Sequence, residues 1–295
     1  MLELHEMITS KGGVGKTKVA AELLVQPKLN ENKKLYVRDF DPFNSDLYSM
    51  TKDIPNIDSQ VIYSTKNIQR FKDINNTDDI DTTVVEDEQV QMYDDAYVNL
   101  DRDYICDNGA GNNSIDKLKY LFLNGSAYRF LEHNYIIYIN IVITSSTMDS
   151  IARDILKVYK YIKYYQTEHV KGTELEDAAK KNIKVNLWKN EIVGRNFTYR
   201  KIIDNQAKYL KLEEFSSFQK LKDDNLIHGV YRIIRESSMQ RLDLMTEAFK
   251  YKKLLTTMAE DKYIEFNMKH NYLQISKMLI KSTYENAEYY DKPKE

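Results

Sequence analysis

The stretch KGGVGKT, residues 11–17, decides the fold of this chain. The apolar run before it, residues 2–9, predicts a buried strand, and the run after it, residues 19–24, predicts a helix. In a strand–loop–helix context, glycines let the backbone curl so that successive N–H groups face a polyphosphate. The helix N-terminus adds partial positive charge at the same place. The stretch therefore predicts a phosphate-binding loop rather than a glycine-rich turn that binds nothing.

Two side chains at the end of this loop have chemistry of their own. Lys16 is placed to reach the β- and γ-phosphates of a nucleotide, and the Thr17 hydroxyl is placed to hold a Mg²⁺ ion. The residues expected to bind the nucleotide here are Gly12, Gly13, Val14, Gly15, Lys16, Thr17 and Lys18.

A second lysine distinguishes this loop from the general pattern. The first position, normally glycine, is Ser10, and Lys11 precedes the glycines. KGGVGKT thereby resembles the deviant Walker A loop of the ParA/MinD family of ATPases. In that family the extra lysine reaches across a dimer interface to the nucleotide of the partner subunit. The resemblance implies a catalytic role in trans for Lys11; the alternative is a solvated surface lysine.

A pair of carboxylates follows the next predicted strand, residues 33–38. Asp39 and Asp41, two residues apart on an extended segment, point to the same side. At the end of a parallel strand they would face the crevice where doubly wound sheets bind ligands. Asp-Phe-Asp-Pro resembles the family's second acidic motif, which implies that Asp41 positions the attacking water and that Asp39 supports the metal shell. Alone, this pattern is also a common turn.

A third block, Asp107-Asn108-Gly109-Ala110-Gly111, ends an apolar strand and is typical of a Walker B element. Asp107 is expected to hold Mg²⁺ through water, opposite Thr17. Gly109 and Gly111 would let the loop respond to the γ-phosphate. The better-known ParA members have Thr-x-Pro after this aspartate. Asp-Asn-Gly-Ala instead resembles the plasmid-borne StbB and TraL branch, which is associated with plasmid stability and conjugative transfer.

A fourth block, Lys189-Asn190-Glu191, follows a predicted buried strand, residues 183–188, and resembles the same branch. In ParA/MinD proteins an asparagine at this strand end reads the adenine, and an amide suits that role because it both donates and accepts. The resemblance implies base recognition by Asn190; capping the loop is an equal alternative. The resemblance as a whole covers roughly residues 1–210.

The order of predicted elements gives the fold class. Strands and helices alternate, which implies a doubly wound, mostly parallel α/β sheet with helices on both faces, as in P-loop NTPases. We expect an ATPase domain over residues 1–210, with an acidic insertion at about 51–103. A helical C-terminal extension, residues 211–281, would pack on that core. Residues 282–295 would form a flexible tail.

Composition restricts the function less than the motifs do. With a formal net charge of −2, the chain has no global attraction to nucleic acid or to anionic membranes. The single cysteine, Cys106, lies in a predicted strand, which favours a reducing compartment. The longest apolar run, residues 135–143, is far shorter than the about 20 residues of a spanning helix. No signal peptide is visible, so we expect a cytoplasmic location.

Two regions leave their roles open. The acidic stretch at residues 73–103 is better interpreted as a solvated surface than as a metal site, because its carboxylates lack regular spacing. For the C-terminal helices, packing on the core is favoured over a DNA surface, in which phosphate contacts would dominate. A membrane helix at residues 272–281 ranks last. The residues that would contact DNA non-specifically are Arg232, Arg235 and Arg241.

These features together predict an ATP-dependent dimerising switch of the ParA/MinD type, with ATP and Mg²⁺ as cofactors. It would hydrolyse ATP slowly, under stimulation by a partner, to drive plasmid partition or stability or conjugative transfer. The expected partners are a second copy of the chain and a plasmid-encoded DNA-binding or relaxosome protein. The alternatives are a non-hydrolysing ATP-binding adaptor and a MinD-like membrane-positioning ATPase. A metal-cluster carrier would need interface cysteines, which argues against that class.

Overall fold

The computed structural model describes residues 1–9, 11–41, 45–62, 96–109, 115, 117–123, 125–192, 197–203, 206–233 and 239–290. The strands of these residues are β1 (Leu2–Ile8), β2 (Leu35–Asp39), β3 (Ile57–Val61), β4 (Asp103–Asp107), β5 (Tyr135–Ile143), β6 (Ile183–Asn190), β7 (Thr198–Ile203), β8 (Gln206–Lys211), β9 (Ile227–Ile233) and β10 (Glu288–Tyr289).

The strands form one large sheet and one hairpin. The large sheet has eight strands in the order β10-β9-β6-β5-β1-β4-β2-β3. Its neighbours pair in parallel, except that β10 is antiparallel to β9. Strands β7 and β8 form a separate antiparallel hairpin. The predicted doubly wound, mostly parallel sheet is therefore confirmed.

Helices connect these strands. The helical segments are α1 (Lys16–Lys18), α2 (Gln26–Asn30), α3 (Asp46–Thr51), α4 (Leu118–Leu123), α5 (Ser126–Glu132), α6 (Met148–Tyr164), α7 (Glu176–Asn182), α8 (Ser216–Asp223), α9 (Met239–Lys250), α10 (Leu255–Glu260) and α11 (Phe266–Glu285). A π-helical segment, Val19–Val25, joins α1 to α2. We call the continuous helix over residues 16–30 the loop helix. No helix in the described ranges is long and apolar enough to span a membrane.

The sheet has a core on each face. Successive side chains of a strand point to opposite faces, so β2 contributes to both. Tyr36 packs in the cluster that contains Phe130 of α5 and Ile155 of α6. Its neighbours Leu35 and Val37 pack in the other cluster, with the apolar residues of the loop helix. Helices on both faces of the sheet follow from this alternation.

The C-terminal boundary differs from the expectation. Strand β9 lies beyond residue 210, pairs in parallel with β6 and belongs to the main sheet, so the segment 211–281 is not purely helical. Trp188 of β6 stacks on Tyr231 of β9 with ring centroids 4.2 Å apart, which explains why this strand joins the core. The expected tail begins inside α11 and returns to the sheet as β10. Strand β3 lies within the expected acidic insertion of about 51–103 and yet belongs to the main sheet. Residues 63–95 of that insertion lie outside the described residues.

The C-terminal helices pack on the loop helix. The backbone N–H of Leu255 donates to Glu22 Oε1 at 2.9 Å, and the Tyr284 hydroxyl donates to the Leu23 carbonyl. Leu254 and Leu279 lie in the same apolar cluster as the loop helix. These contacts place the described C-terminal helices against the loop helix, and their role stays a prediction.

Glu22 is a buried carboxyl group in this contact, and its removal should change the pH dependence of stability. Burial raises the pKa of Glu22 to about 7, against an ordinary value of 4.5. Between these values the unfolded chain releases a proton that the folded protein keeps, so wild-type stability falls as pH rises. The loss is on the order of 3 kcal/mol, at about 1.4 kcal/mol per pKa unit. We expect Glu22→Gln to remove this loss, since the amide oxygen still accepts from Leu255.

Urea denaturation of wild type and Glu22→Gln at pH 5 and pH 8 measures this effect. The variant should gain stability relative to wild type at pH 8 and gain little at pH 5. If the difference in unfolding free energy between the variant and wild type is the same at both pH values, the pKa of Glu22 is not raised. Glu260→Gln, at an exposed position on α10, is the matched control and should follow wild type at both values.

Candidate functional site

The loop between β1 and the loop helix has two glycines in the left-handed region. Gly13 has a φ of +72° and Gly15 a φ of +93°, conformations that side chains rarely adopt. A Cβ added at Gly13 would meet nothing within 4 Å, whereas one at Gly15 would lie 2.7 Å from Asn190 Nδ2. Gly13 is therefore required by conformation alone, and Gly15 by both conformation and space.

The end of the loop meets the end of β4. Thr17 Oγ1 donates to Asp107 Oδ2 at 2.5 Å. The other carboxylate oxygen, Asp107 Oδ1, is buried and has no hydrogen-bond partner among the described residues. Burial raises the pKa of Asp107, and the nearby Lys16 ammonium opposes that rise. The structure thus brings Thr17, Lys16 and Asp107 together, as the sequence predicts.

Two further carboxylates lie at the end of the neighbouring strand β2. Asp39 is in parallel register with Asp107. Its Oδ1 accepts from the Asp41 N–H at 3.0 Å, and its Oδ2 accepts from the Tyr48 N–H at 3.1 Å. Burial, and then repulsion by Asp107, raise the pKa of Asp39 to about 7. Asp39 therefore shapes the turn that carries Asp41, and its role at a metal stays a prediction.

Asp41 faces the loop that follows β4. A Cβ added at Gly109 would lie 3.3 Å from Asp41 Cγ, so the glycine leaves the space that this carboxylate occupies. The Phe40 N–H donates to the Asp107 carbonyl at 2.9 Å, which fixes the turn against β4. The Asp41 carboxylate, predicted to position water, thus lies beside the loop predicted to respond to the γ-phosphate.

The oxygen atoms at this point fit a magnesium ion. Mg²⁺ binds through one or two protein oxygens and completes its shell with waters and substrate phosphates. The Thr17 hydroxyl and the partnerless Asp107 Oδ1 provide such oxygens. Within the described ranges, no three His, Cys, Asp or Glu side chains form a cluster that could hold a metal. A metal here would therefore depend on the nucleotide for part of its shell.

The second lysine of the loop is held by its own chain. Lys11 Nζ is exposed and donates to the Ser146 carbonyl at 2.8 Å, in the short 3₁₀ turn Ser145–Thr147 after β5. An exposed hydrogen bond of this kind contributes about 0.5–1.5 kcal/mol. Release of Lys11 toward another subunit is therefore cheap in free energy, and its role in trans stays a prediction.

Asn190 lies at the end of β6 against the phosphate loop. Its Nδ2 donates to the Val14 carbonyl at 2.9 Å, and its Oδ1 accepts from the Ile192 N–H at 3.2 Å. This is the loop-capping arrangement, one of the two alternatives. Base recognition by Asn190 stays a prediction, and the amide retains a second N–H hydrogen for it.

The last residue of the expected nucleotide-binding set, Lys18, turns its side chain away from the loop. Its ammonium lies 4.9 Å from the centroid of the Phe249 ring in α9. Burial lowers the pKa of this lysine. Only the backbone of Lys18 is thus positioned to serve a nucleotide, while its side chain binds the C-terminal helices.

The structure also shows a lysine that the sequence does not single out. Lys117, just before α4, donates from Nζ to the Phe40 carbonyl at 3.3 Å. Burial lowers its pKa to about 8, while nearby carboxylates, led by Glu6 and Asp41, act in the opposite direction. The sequence offers no signal for it, because nothing in the spacing from Asp107 predicts this contact.

One of the residues expected to bind DNA is paired with a carboxylate. Arg232 lies in β9, and its Nε donates to Glu191 Oε1 at 2.7 Å. Arg235 lies outside the described residues, and Arg241 lies in α9. A DNA surface here stays a prediction.

The parallel sheet, the left-handed glycine loop and the Thr17–Asp107 pair define the P-loop NTPase fold. No family model matches the chain, and no curated protein matches it either.

Three solved structures match most of the length of this chain. A nucleotide-binding protein from Archaeoglobus fulgidus, in complex with ADP, is 14% identical over 85% of this chain and 88% of its own, at a TM-score of 0.40. A McdA–ATP complex from Cyanothece is 10% identical over 94% of this chain and 96% of its own, at a TM-score of 0.43. A protein described as a plasmid partition protein from Borrelia burgdorferi B31, bound to AMPPNP, is 15% identical over 93% of this chain and 97% of its own, at a TM-score of 0.39. At these identities and TM-scores, the three structures do not establish the activity of this chain.

Proposed function

We propose that this protein is an ATP-hydrolysing molecular switch of the ParA/MinD type that dimerises on ATP. The observation that supports this most is the contact of Thr17 with Asp107, with Lys16 beside them and Asp41 facing the Asp107 loop. A simple phosphate-binding turn needs neither the buried Asp107 carboxylate nor the half-buried Asp41 carboxylate. A hydrolase needs both, one at the metal and one at the attacking water.

In this proposal the loop binds the phosphates of ATP through its backbone N–H groups and through Lys16. Thr17 and Asp107 would hold Mg²⁺, which would supply positive charge to offset that of the phosphates. Asp41 accepts a hydrogen bond from a water and directs its oxygen at the γ-phosphorus. The new P–O bond forms as the bond to the β–γ bridging oxygen breaks, so that ADP leaves with that electron pair. The proton of the water is released with inorganic phosphate.

Dimerisation rests on Lys11, whose exposed ammonium neutralises charge on the nucleotide of the other subunit in this proposal. After hydrolysis the γ-phosphate contact is lost, the loop after Asp107 relaxes and the dimer opens. The process served is plasmid partition or stability, or conjugative transfer, and the partner is a plasmid-encoded DNA-binding or relaxosome protein. That assignment rests on the resemblance of the Asp-Asn-Gly-Ala and Lys-Asn-Glu blocks to the StbB and TraL branch.

Phosphate release by the purified wild-type protein tests the hydrolytic part. We expect slow turnover with ATP and Mg²⁺, none with EDTA, and faster turnover when duplex DNA and the partner protein are added. Lys16→Ala is the matched control and should show no turnover. ATP binding without phosphate release under any of these conditions would instead support the non-hydrolysing adaptor.

A further inference from the structure

Lys117 connects two segments that approach the site from neighbouring strands. It follows the loop after β4 and directly precedes α4, whereas its acceptor, the Phe40 carbonyl, belongs to the turn after β2. Its ammonium also lies 5.4 Å from the centroid of the Phe40 ring. Phe40 stands between Asp39 and Asp41. The Lys117 side chain therefore contacts Phe40, between the two predicted functional carboxylates, by a hydrogen bond to its carbonyl and by its ring.

The charges around Lys117 are mostly negative. Four carboxyl groups act on its ammonium: Glu6, Asp41, Asp107 and Asp39. Glu6, at the centre of β1, is itself buried and accepts hydrogen bonds from the Tyr97 hydroxyl at 2.5 Å and from Asn108 Nδ2 at 2.7 Å. A cation among these groups relieves their mutual repulsion. Lys117 and the loop lysine Lys16 both act on Asp107 and oppose the rise in its pKa.

Simple packing does not account for a lysine at this position. Burying an ammonium costs free energy unless it is paired, and an apolar side chain of similar length would fill the same space without that cost. The hydrogen bond to a main-chain carbonyl restrains the Asp39–Asp41 turn, which a methionine could not do. The functional consequence falls on Asp41, because its backbone follows directly from the carbonyl that Lys117 contacts.

We propose that Lys117 is a positioning residue that holds the Asp39–Asp41 turn, and thereby the Asp41 carboxylate, in the orientation needed to direct the attacking water. This inference rests on the proposed ATPase function. Because Lys117 follows the Asp107 loop, a movement of that loop also changes the restraint on Asp41. The lysine acts through the Phe40 carbonyl, so it affects turnover rather than nucleotide affinity.

The test compares steady-state kinetics of wild type with Lys117→Met, Lys117→Gln, Lys117→Arg and the control Lys119→Met, at an exposed position on α4. We expect Lys117→Met to lower kcat about 10- to 100-fold, the range for a carboxylate displaced by up to 1 Å. KM and the affinity for a non-hydrolysable ATP analogue should stay within about twofold of wild type. Lys117→Arg should recover most of kcat because it keeps charge and donor, and Lys119→Met should match wild type.

Lys117→Gln covers the case in which the methionine variant does not fold. It keeps a donor but loses charge and reach, so kcat should fall about tenfold with KM unchanged. A wild-type kcat in both neutral variants would overturn the inference. A change in KM or analogue affinity without a change in kcat would overturn it as well, since it would place Lys117 on the nucleotide.

Hydrogen exchange separates this inference from the proposed function. The Phe40 and Asp41 amides, which donate to the Asp107 carbonyl and to Asp39, should exchange faster in the neutral Lys117 variants than in wild type or Lys119→Met, without nucleotide. If wild type shows no ATP turnover, the proposed function fails, and unchanged exchange would then also refute the placement of Lys117. If wild type turns over and exchange is unchanged, only the Lys117 inference fails.

Discussion

Gly15→Ala is expected to abolish measurable nucleotide binding, with a loss of at least about 100-fold in ATP affinity. Two costs add at this position. A φ of +93° in a residue with a side chain costs about 1–2 kcal/mol. The new Cβ would also stand 2.7 Å from Asn190 Nδ2, so either the loop or the end of β6 must move. Titration with a fluorescent ATP analogue measures the loss.

Gly13→Ala is the matched control for this prediction. Its φ of +72° carries the same conformational cost, but its added Cβ would meet no protein atom within 4 Å. We expect about a tenfold loss of affinity, from 1–2 kcal/mol of backbone strain. Thermal unfolding without nucleotide should also show the larger decrease for Gly15→Ala. Equal effects of the two substitutions would contradict the contact between the loop and Asn190.

Asp41→Ala is expected to lower kcat by about 10²- to 10⁴-fold, the usual contribution of a positioned acid–base group. ATP affinity should stay within a few-fold of wild type, because in the proposed function the loop and Lys16, rather than Asp41, bind the phosphates. Asp39 keeps its second hydrogen bond, from Tyr48, and its bond from the Asp41 backbone does not need the side chain. Single-turnover phosphate release with saturating ATP separates binding from chemistry.

Asp53→Ala is the control, since it removes an exposed carboxylate from the turn just after α3. It should leave both kcat and affinity at wild-type values. Turnover of Asp41→Ala within threefold of wild type would mean that another group directs the water. Loss of ATP affinity in Asp41→Ala would mean that the carboxylate supports the loop rather than the reaction.

The phosphate loop and its partners could be predicted from sequence because their geometry follows from local rules. A buried strand, a glycine loop and a helix place Thr17 at the start of the loop helix, beyond the end of β1, and parallel strands place Asp107 at the same edge of the sheet. These rules are enough to predict that the two residues meet, and their hydrogen bond is 2.5 Å long. The two carboxylates after β2 follow by the same rule, because Asp39 and Asp107 share a register position.

The remaining features depend on contacts between distant parts of the chain. Arg232, an expected DNA contact, lies in β9, a strand that was not predicted and that pairs with β6, where Tyr231 stacks on Trp188. Strand β10 is two residues long and exists only through its pairing with β9. Lys117 reaches a carbonyl 77 positions away. No periodicity or motif encodes such contacts, so single-sequence reasoning could not supply them.

The most direct test of the central claim is the mass of the Asp41→Ala variant with ATP and Mg²⁺, by size-exclusion chromatography with light scattering. Because hydrolysis is blocked, the ATP-bound state accumulates, and we expect about twice the 34.8 kDa of one chain. Adding Lys11→Ala to this variant should return the mass to 34.8 kDa, with ATP still bound. An Asp41→Ala protein that binds ATP and remains a monomer would contradict the dimerising switch.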